Sequence, residues 1–478
     1  MTLDLHARPD LAARLATSAG APTDGARDAL NWLRERRRNG TFRVTPVPFD
    51  RLDGWSFRAE DGDLVHRSGR FFTVEGAEVT TPDGGSRWLQ PIIRQDDVAV
   101  LGILAREIDG VLHFLMQAKM EPGNIGLVQL SPTVQSTPSN YSRAHQGKTS
   151  RYVEYFLGDH PGRALVDILQ SEQGSWFRGK RNRNVVVEVD EPVDVHEDFR
   201  WFTLAEILDL LRHPDVVNMD TRTVLSCLPL AVDGSVSVRH PALARSLGFP
   251  GHEARHDTAE VHRWLGERRE LQSLSVERIP LAATAAAGWV RDESQIGHVS
   301  GRWFRIIGVD VAADSREVGA WSQPLLAPCD VGLVALVTRR IGDTLHLLVK
   351  ADVRPGYRAG VEVGPTVQCT PSNFPPGTPG RPDYLDAVLA TPPERVLHES
   401  RQSEEGGRFY HATTRHLVVE QDPSAPPEPA PGYLWLTAHQ LAELVTTSCQ
   451  VNIEARSLLL TLLAVIHSDR TRTSGGAA

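Results

Sequence analysis

The chain has 478 residues, a formal net charge of −9 and a pI near 6.1, with 41% hydrophobic and 23% charged residues. This is the balance of an ordinary soluble globular protein, and it argues against nucleic acid or an acidic membrane surface as the main partner. The longest apolar run, residues 458–466, is too short for a membrane span, and the N-terminus lacks the apolar core of a signal peptide. The four cysteines show no zinc-type or CxxC spacing, which indicates a reducing, cytoplasmic setting without disulfides.

The pattern of predicted elements begins with a flexible tail over residues 1–25 that holds one short helical piece. An amphipathic helix over 28–38 follows. Residues 98–105 and 112–119 are apolar runs around an Asp-Gly turn, which predicts a hairpin. A capping box predicts a helix over 203–211. Helix, antiparallel-rich mixed sheet, then helices is the order of an α+β fold.

A nine-residue segment occurs twice, as Pro132 to Asn140 and as Pro365 to Asn373, 233 residues apart and with one difference in nine. Other matched segments along the chain keep an offset between 232 and 234 residues. So steady an offset predicts a tandem duplication of a domain-sized unit. The predicted organisation is a flexible N-terminal tail (1–25), a first copy (26–230), a linker (231–256), a second copy (257–467) and a flexible C-terminal tail (468–478).

The repeated nine-residue segment consists mainly of hydroxyls, amides and prolines. Such a run suits a rigid loop that presents hydrogen-bonding groups to a polar ligand, although a repeated capping turn is the alternative. We therefore expect substrate-binding side chains from both copies of the segment. They are Gln135, Thr137, Ser139 and Asn140 in the first copy, and Gln368, Thr370, Ser372 and Asn373 in the second.

Three other polar or aromatic features are candidates for binding. A hydroxyl beside a carboxylate recurs in a Gly-containing turn, but a helix cap would look the same. A tryptophan after a glycine recurs in a loop and could stack on a base or sugar, or pack in the core. A dense Arg-Asn run could clamp a diphosphate or form a solvated turn. The residues are Ser171 with Glu172, Ser403 with Glu404, Trp55, Trp289, Arg181 and Asn182.

Titratable groups cluster around the first nine-residue segment. We expect Lys119, Tyr141, His145 and Glu172 to be catalytic, since a proton-transfer site needs such groups together. The second copy has Phe374 and prolines in place of the Tyr-His stretch, so the first copy is favoured as the reactive one. The second copy has its own acidic group, Glu404, so the alternative that the second copy is the reactive one stays open. Motifs for Rossmann, P-loop, zinc-protease and serine-hydrolase chemistry are absent.

A resemblance is carried by residues 129–135, 139–141, 170–174 and 181–184 in the first copy and by 364–373 and 403–409 in the second. The sequence resembles the NDP-hexose 2,3-dehydratases of deoxysugar and antibiotic pathways over about 28–467. The resemblance implies two Nudix-like modules, each a mixed sheet flanked by helices, a homodimer, and no metal or organic cofactor. It also implies dTDP-4-keto-6-deoxy-D-glucose as substrate. The glutamate-rich Nudix box is absent from both copies, which argues against Mg²⁺ and diphosphate hydrolysis.

The implied reaction suits the available side chains. A 4-keto group acidifies the C3 proton, a base removes it, and the C2 hydroxyl leaves with help from an acid. C3 is oxidised to a ketone while C2 is reduced by the loss of its hydroxyl. The two changes cancel, so no redox cofactor is needed. Two alternatives stay open: a nucleotide-sugar pyrophosphohydrolase and a non-catalytic nucleotide-sugar sensor.

Overall fold

The computed structural model describes residues 9–138, 150–158, 162–229, 240–248, 254–314 and 318–474. Within these ranges no helix is long and apolar enough to cross a membrane. The helices are α1 (Pro9–Ala19), α2 (Arg27–Asn39), α3 (Leu204–Leu210), α4 (Met219–Ser226), α5 (Pro241–Leu247), α6 (Thr258–Gln272), α7 (Leu385–Leu389), α8 (Ala438–Val445) and α9 (Ile453–Ser474).

The strands of the first copy are β1 (Phe42–Val47), β2 (Trp55–Phe57), β3 (Leu64–His66), β4 (Thr73–Thr80), β5 (Arg87–Arg94), β6 (Ala99–Ile108), β7 (Val111–Met120), β8 (Val128–Ser131), β9 (Val134–Ser136), β10 (Arg163–Ser171), β11 (Arg181–Glu188) and β12 (Phe199–Thr203). Those of the second are β13 (Ser275–Ile279), β14 (Trp289–Arg291), β15 (Gln295–His298), β16 (Phe304–Ala313), β17 (Ala320–Pro328), β18 (Gly332–Ile341), β19 (Thr344–Val353), β20 (Val361–Gly364), β21 (Val367–Cys369), β22 (Val396–Ser403), β23 (Thr413–Glu420) and β24 (Tyr433–Thr437).

Each copy builds a seven-stranded mixed sheet with the same pairing. In the first, β10, β11, β6, β7 and β12 lie in that order, with β8 beside β7 and β9 beside β6. The central β6–β11 pair is parallel, as is its counterpart β18–β23, and the other pairs are antiparallel. Runs of Val, Leu and Ile suit these central strands because helices or loops cover both faces. The α+β class and the tandem repeat are confirmed, while the Nudix-like character of each sheet stays a prediction.

Two smaller five-stranded sheets exchange strands between the copies. Strand β1 of the first copy pairs with β16 of the second, from Phe42 opposite Ala313 to Val47 opposite Gly308. Strand β13 of the second copy pairs in the same way with β4 of the first. Since each small sheet takes an edge strand from the other copy, neither copy can complete its own fold alone.

Buried polar side chains also join the two copies. The fully buried Arg222 donates to the backbone oxygen of Ser403 at 2.7 Å, and its counterpart Arg456 donates to that of Ser171, also at 2.7 Å. Gln170 donates across the same junction to the oxygen of Val445 at 2.6 Å. A buried guanidinium needs such partners to offset its desolvation. The repeated Gln-Ser pairs are therefore junction residues.

The predicted flexible segments need correction. Helix α1 lies inside the predicted N-terminal tail, yet its Leu11 and Leu15 are 3% and 1% exposed, because their i, i+4 spacing puts both on the face that packs on the core. Helix α5 lies inside the predicted linker and buries Leu243 and Leu247 for the same reason. Helix α9 continues to Ser474, beyond the predicted start of the C-terminal tail.

Candidate functional site

A cavity of about 550 Å³ lies where the large sheet of the first copy meets loops of the second. Strands β6, β7, β9 and β11 supply its inner wall. The second copy supplies residues around 318–323 and the turn at 405–408. A cavity of this size is in the range that holds a drug-sized polar ligand.

The floor of the cavity holds an ion pair at the end of β7. Lys119 Nζ lies 3.3 Å from Glu121 Oε1 and donates to the backbone oxygen of Gln135 at 3.2 Å. Lys119 is the penultimate residue of β7 and Glu121 follows the strand directly, and both side chains border the cavity. The Gln135 amide donates to Glu121 Oε1 at 3.1 Å and to Glu405 Oε1 at 3.3 Å. Among the described residues, Glu121 Oε2 has no hydrogen-bond partner.

A second acidic group comes from the turn between β10 and β11. Glu172 is 5% exposed and accepts a hydrogen bond from the amide of Asn182. Lys180 lies beside them and donates to Asp97 Oδ1 at 3.1 Å. Burial raises the pKa of Glu172, although the Lys180 charge opposes the shift, and burial lowers the pKa of Lys180. Both groups are therefore tuned toward neutral pH, as proton-transfer groups need to be.

Four acidic side chains, Glu121, Glu172, Asp220 and Glu405, form what we call the carboxylate cluster. Burial raises the pKa of Asp220 well above its usual range, and the charges of Glu172 and Glu405 add to the shift. Burial, with help from Glu121, raises the pKa of Glu405 to about 7. Like charges that are buried close together cannot all ionise, so the cluster retains protons near neutral pH and can hold an acid beside a base.

Cationic side chains line the outer part of the cavity. Arg408 lies with its guanidinium carbon 4.5 Å from the centre of the Phe72 ring and donates to Gln95 Oε1 at 3.2 Å. Arg67 and Arg70 also line the wall. Guanidinium groups bind phosphate oxygens in bidentate fashion, so this part of the cavity suits an anionic ligand group.

The cavity brings together much of the predicted first-copy site. Lys119, Glu172, Gln135, Thr137, Asn182 and Trp55 all border it. Tyr141, His145, Ser139 and Asn140 lie outside the described residues.

The two predicted stacking tryptophans are mainly core residues. Trp55 and Trp289 are 7% and 5% exposed and pack at 4.8 Å on Phe72 and Phe304. Each indole N–H donates to a backbone oxygen, at 2.9 Å for Trp55 and 3.0 Å for Trp289. Of these two tryptophans, Trp55 borders the cavity and Trp289 does not. The expectation that both stack on ligand rings was wrong for Trp289, since a repeated Gly-Trp pair here reflects a repeated aromatic core.

The predicted binding serines hold the two copies together. Ser171 donates to Glu362 Oε2 at 2.5 Å, and Ser403 accepts from the Gln129 amide at 2.7 Å. Both serines are buried and neither borders the cavity. Arg181, at the start of β11, does not border it either. The junction explains the repeated polar pattern for the two serines.

The second copy uses its nine-residue segment internally. Gln368 accepts from the Asn452 amide at 2.9 Å, and Asn373 accepts from the backbone N–H of Trp303 at 3.2 Å. Glu404, which lies outside this segment, accepts from Thr414 of its own copy at 2.6 Å and from Gln173 of the first copy at 3.0 Å. The cavity is bordered by none of the predicted second-copy residues, which are Trp289, Gln368, Thr370, Ser372, Asn373, Ser403 and Glu404.

The charges on the two hairpins are not equivalent. Lys119 pairs in register with Gln129, and in the second copy Asp352 takes the matching place opposite Glu362. Two residues further on, Arg354 donates to Asp352 Oδ2 at 2.9 Å and to the Gln368 backbone oxygen at 3.2 Å. The ion pair is retained with its order reversed.

Sequence reasoning left Lys180, Asp220, Glu405 and Arg408 out of the candidate site. It placed Glu121 just before the first nine-residue segment but assigned it no role. A signal existed for Asp220, because an acid follows two residues after the repeated Asn in both copies, as Asp220 and Glu454. Nothing in the repeat pointed to Arg408, whose counterpart is a tryptophan.

Comparisons with known proteins show the family of the chain. The family model described as NDP-hexose 2,3-dehydratase matches residues 26–228 and 258–462. Three relatives carry the name dTDP-4-dehydro-6-deoxy-alpha-D-glucopyranose 2,3-dehydratase. The Saccharopolyspora spinosa protein is 47% identical over 441 residues, covering 90% of each chain. The Amycolatopsis orientalis protein is 44% identical over 480 residues (98% of this chain, 96% of the relative), and that of Streptomyces violaceoruber 48% over 433 residues (90% and 95%). The chain belongs to the NDP-hexose 2,3-dehydratase family.

Proposed function

We propose that the chain is a hydro-lyase that removes the C2 hydroxyl of dTDP-4-keto-6-deoxy-D-glucose. The product is the 3,4-diketo-2,6-dideoxy sugar nucleotide. The observation that carries the proposal is the carboxylate cluster beside Lys119 at the floor of the cavity. An acid and a base in one buried site are what a β-elimination requires.

The chemistry divides among this chain's own groups. Glu172 is the base that takes the C3 proton, since its raised pKa makes it a better proton acceptor than an exposed carboxylate. Negative charge then develops on the C4 oxygen. Lys119 is the buried cation that stabilises this enolate, and electrostatic stabilisation of that kind is strong where water is excluded. The C2 hydroxyl takes up a proton and leaves as water. The resulting enol tautomerises by gaining a proton at C2 and losing the proton of its C3 hydroxyl, which becomes the C3 ketone.

The nucleotide end of the substrate fits the outer cavity. The diphosphate would lie against Arg67, Arg70 and Arg408, which are the cations there. We also propose that the protein is cytoplasmic and forms a homodimer. Light scattering of the purified chain tests the dimer.

Incubation of the purified protein with dTDP-4-keto-6-deoxy-D-glucose, followed by mass spectrometry, tests the proposal. We expect loss of one water with the nucleotide retained, and the same rate after EDTA treatment. Release of dTMP and a sugar phosphate that stops with EDTA would instead favour a pyrophosphohydrolase.

A further inference from the structure

Two equivalent turns cross between the copies. Gly406, in the second-copy turn, accepts at its backbone oxygen from the N–H of Gly123 at 2.7 Å. Gly174, in the first-copy turn, accepts from Gly356, also at 2.7 Å. Each turn therefore lies against the end of a hairpin in the opposite copy. A side chain on the turn can reach the site of that opposite copy.

The two turns present different chemistry. Glu405 follows the repeated Ser-Glu pair in the second copy, whereas Gln173 stands at that position in the first. Glu405 reaches the cavity, where Gln135 contacts it. Gln173 instead donates to Glu404 and to the Met219 sulfur, at 3.0 and 2.8 Å. At this position of the two turns, the second copy therefore places an ionisable side chain in the opposite copy's cavity, and the first copy has an amide instead.

We propose that Glu405, supplied by the second copy to the first-copy cavity, is the catalytic acid that protonates the C2 hydroxyl as it leaves. This inference rests on the proposed function. It makes the reactive site composite, with the base and the enolate-stabilising cation from one copy and the acid from the other.

The contacts of Glu405 suit a proton donor. Both of its hydrogen bonds, from the Gly407 N–H at 2.8 Å and from Gln135 at 3.3 Å, go to Oε1. Among the described residues Oε2 accepts none, so this oxygen can carry a proton toward a ligand. A pKa of about 7 keeps part of the population protonated at neutral pH. The facing charged groups are Glu121, Glu172, Asp220, Lys119 and Arg408.

The step balances without a further reactant. Glu172 gains the C3 proton, and the enolate electrons move to form the C2=C3 bond as the C2–O bond breaks. Glu405 gives its proton to the departing oxygen, which leaves as water. Water or a neighbouring acid of the carboxylate cluster returns a proton to Glu405, and Glu172 releases its own before the next turnover.

Glu405→Gln tests the assignment because it removes the acid and retains the shape. In D₂O we expect the variant to lose dehydration by about 100-fold or more, yet to keep exchanging the C3 hydrogen of unreacted substrate, seen by NMR. Dehydration within about tenfold of wild type would overturn the inference. Equal loss of exchange and dehydration would also overturn it, since Glu405 would then act before the C–O bond breaks. Wild-type protein that releases no water would refute the proposed function itself, so the two failures are distinguishable.

Gly407→Ala is an independent variant that leaves every ionisable group in place. An added Cβ would lie 2.2 Å from Glu405 Oε1, the far end of a movable side chain, so the carboxylate must shift while the backbone stays. We expect slower dehydration with C3 exchange retained. Gly266→Ala is the matched control, because nothing lies within 4 Å of its added Cβ. Unchanged dehydration in Gly407→Ala would contradict the role of Glu405.

The pH dependence of the wild type gives a third readout that needs no variant. An acid must be protonated to act, so the dehydration rate should fall as the pH rises through about 7. A dehydration rate that stays flat from pH 6 to 9 would contradict the assignment.

Discussion

Arg222 offers the strongest test that the two copies fold as one unit. Its guanidinium donates to Ser457 Oγ at 2.6 Å and to the backbone oxygens of Val217 at 2.6 Å and Ser403 at 2.7 Å. Ser457 and Ser403 belong to the second copy. Burial lowers the pKa of Arg222 to about 10, so the charge is still present at pH 7. Arg222→Met removes these three bonds and a longer one to Gln402 Oε1 at 3.4 Å, and it leaves buried acceptors unpaired, which should cost about 3–5 kcal/mol.

Urea unfolding measures this loss directly. We expect a lower midpoint with an unchanged slope, and one transition seen alike by tryptophan fluorescence and far-UV circular dichroism. Arg415→Met is the control, because its ion pair with Glu399 is exposed and should contribute less than about 1 kcal/mol. A loss under about 1 kcal/mol for Arg222→Met, or a second transition at the wild-type midpoint, would refute the reasoning.

Three further predictions concern the site and the junction. Glu172→Gln should slow dehydration by about 100-fold or more at saturating substrate, whereas Glu404→Gln, outside the cavity, should keep it within about tenfold; the reverse order would mean that the second copy reacts. Ser171→Ala should lower the free energy of unfolding by about 1 kcal/mol and leave KM unchanged, because the hydroxyl bonds Glu362 and does not border the cavity; a raised KM would restore it as a binding residue. Gly123→Ala should destabilise the fold by at least about 2 kcal/mol in thermal unfolding, since its Cβ would lie 1.8 Å from the Phe409 backbone oxygen; a wild-type Tm would show that this contact can relax.

The sequence predicted the duplication, the α+β class and several members of the cavity wall because those depend on local pattern. Lys119 lies at a strand end as predicted, whereas Gln135 lies in the short strand β9 and not in the expected loop. Glu172 and Asn182 meet beside the β10–β11 pair, and all four residues border the cavity. Repetition alone did not separate ligand contacts from structural ones. Thr133 illustrates the difference, because its buried hydroxyl accepts from the backbone N–H of Leu104 at 2.9 Å and ties strands together.

What the sequence could not predict depends on how the copies meet. A strand's hydrophobic pattern specifies which face is buried but does not say which copy supplies its neighbour, so the exchange of β1 and β13 was not foreseeable. Glu405 and Arg408 were missed for the same reason, since they belong to one copy and serve the cavity of the other.

The most direct test of the account is an NMR time course of dTDP-4-keto-6-deoxy-D-glucose with the wild-type protein in D₂O. We predict loss of the C3 hydrogen and the appearance of one solvent deuterium at C2 of a 3,4-diketo-2,6-dideoxy product still joined to dTDP. A sugar that is released from the nucleotide, or one that keeps its C2 hydroxyl and its C3 hydrogen throughout, would contradict the account.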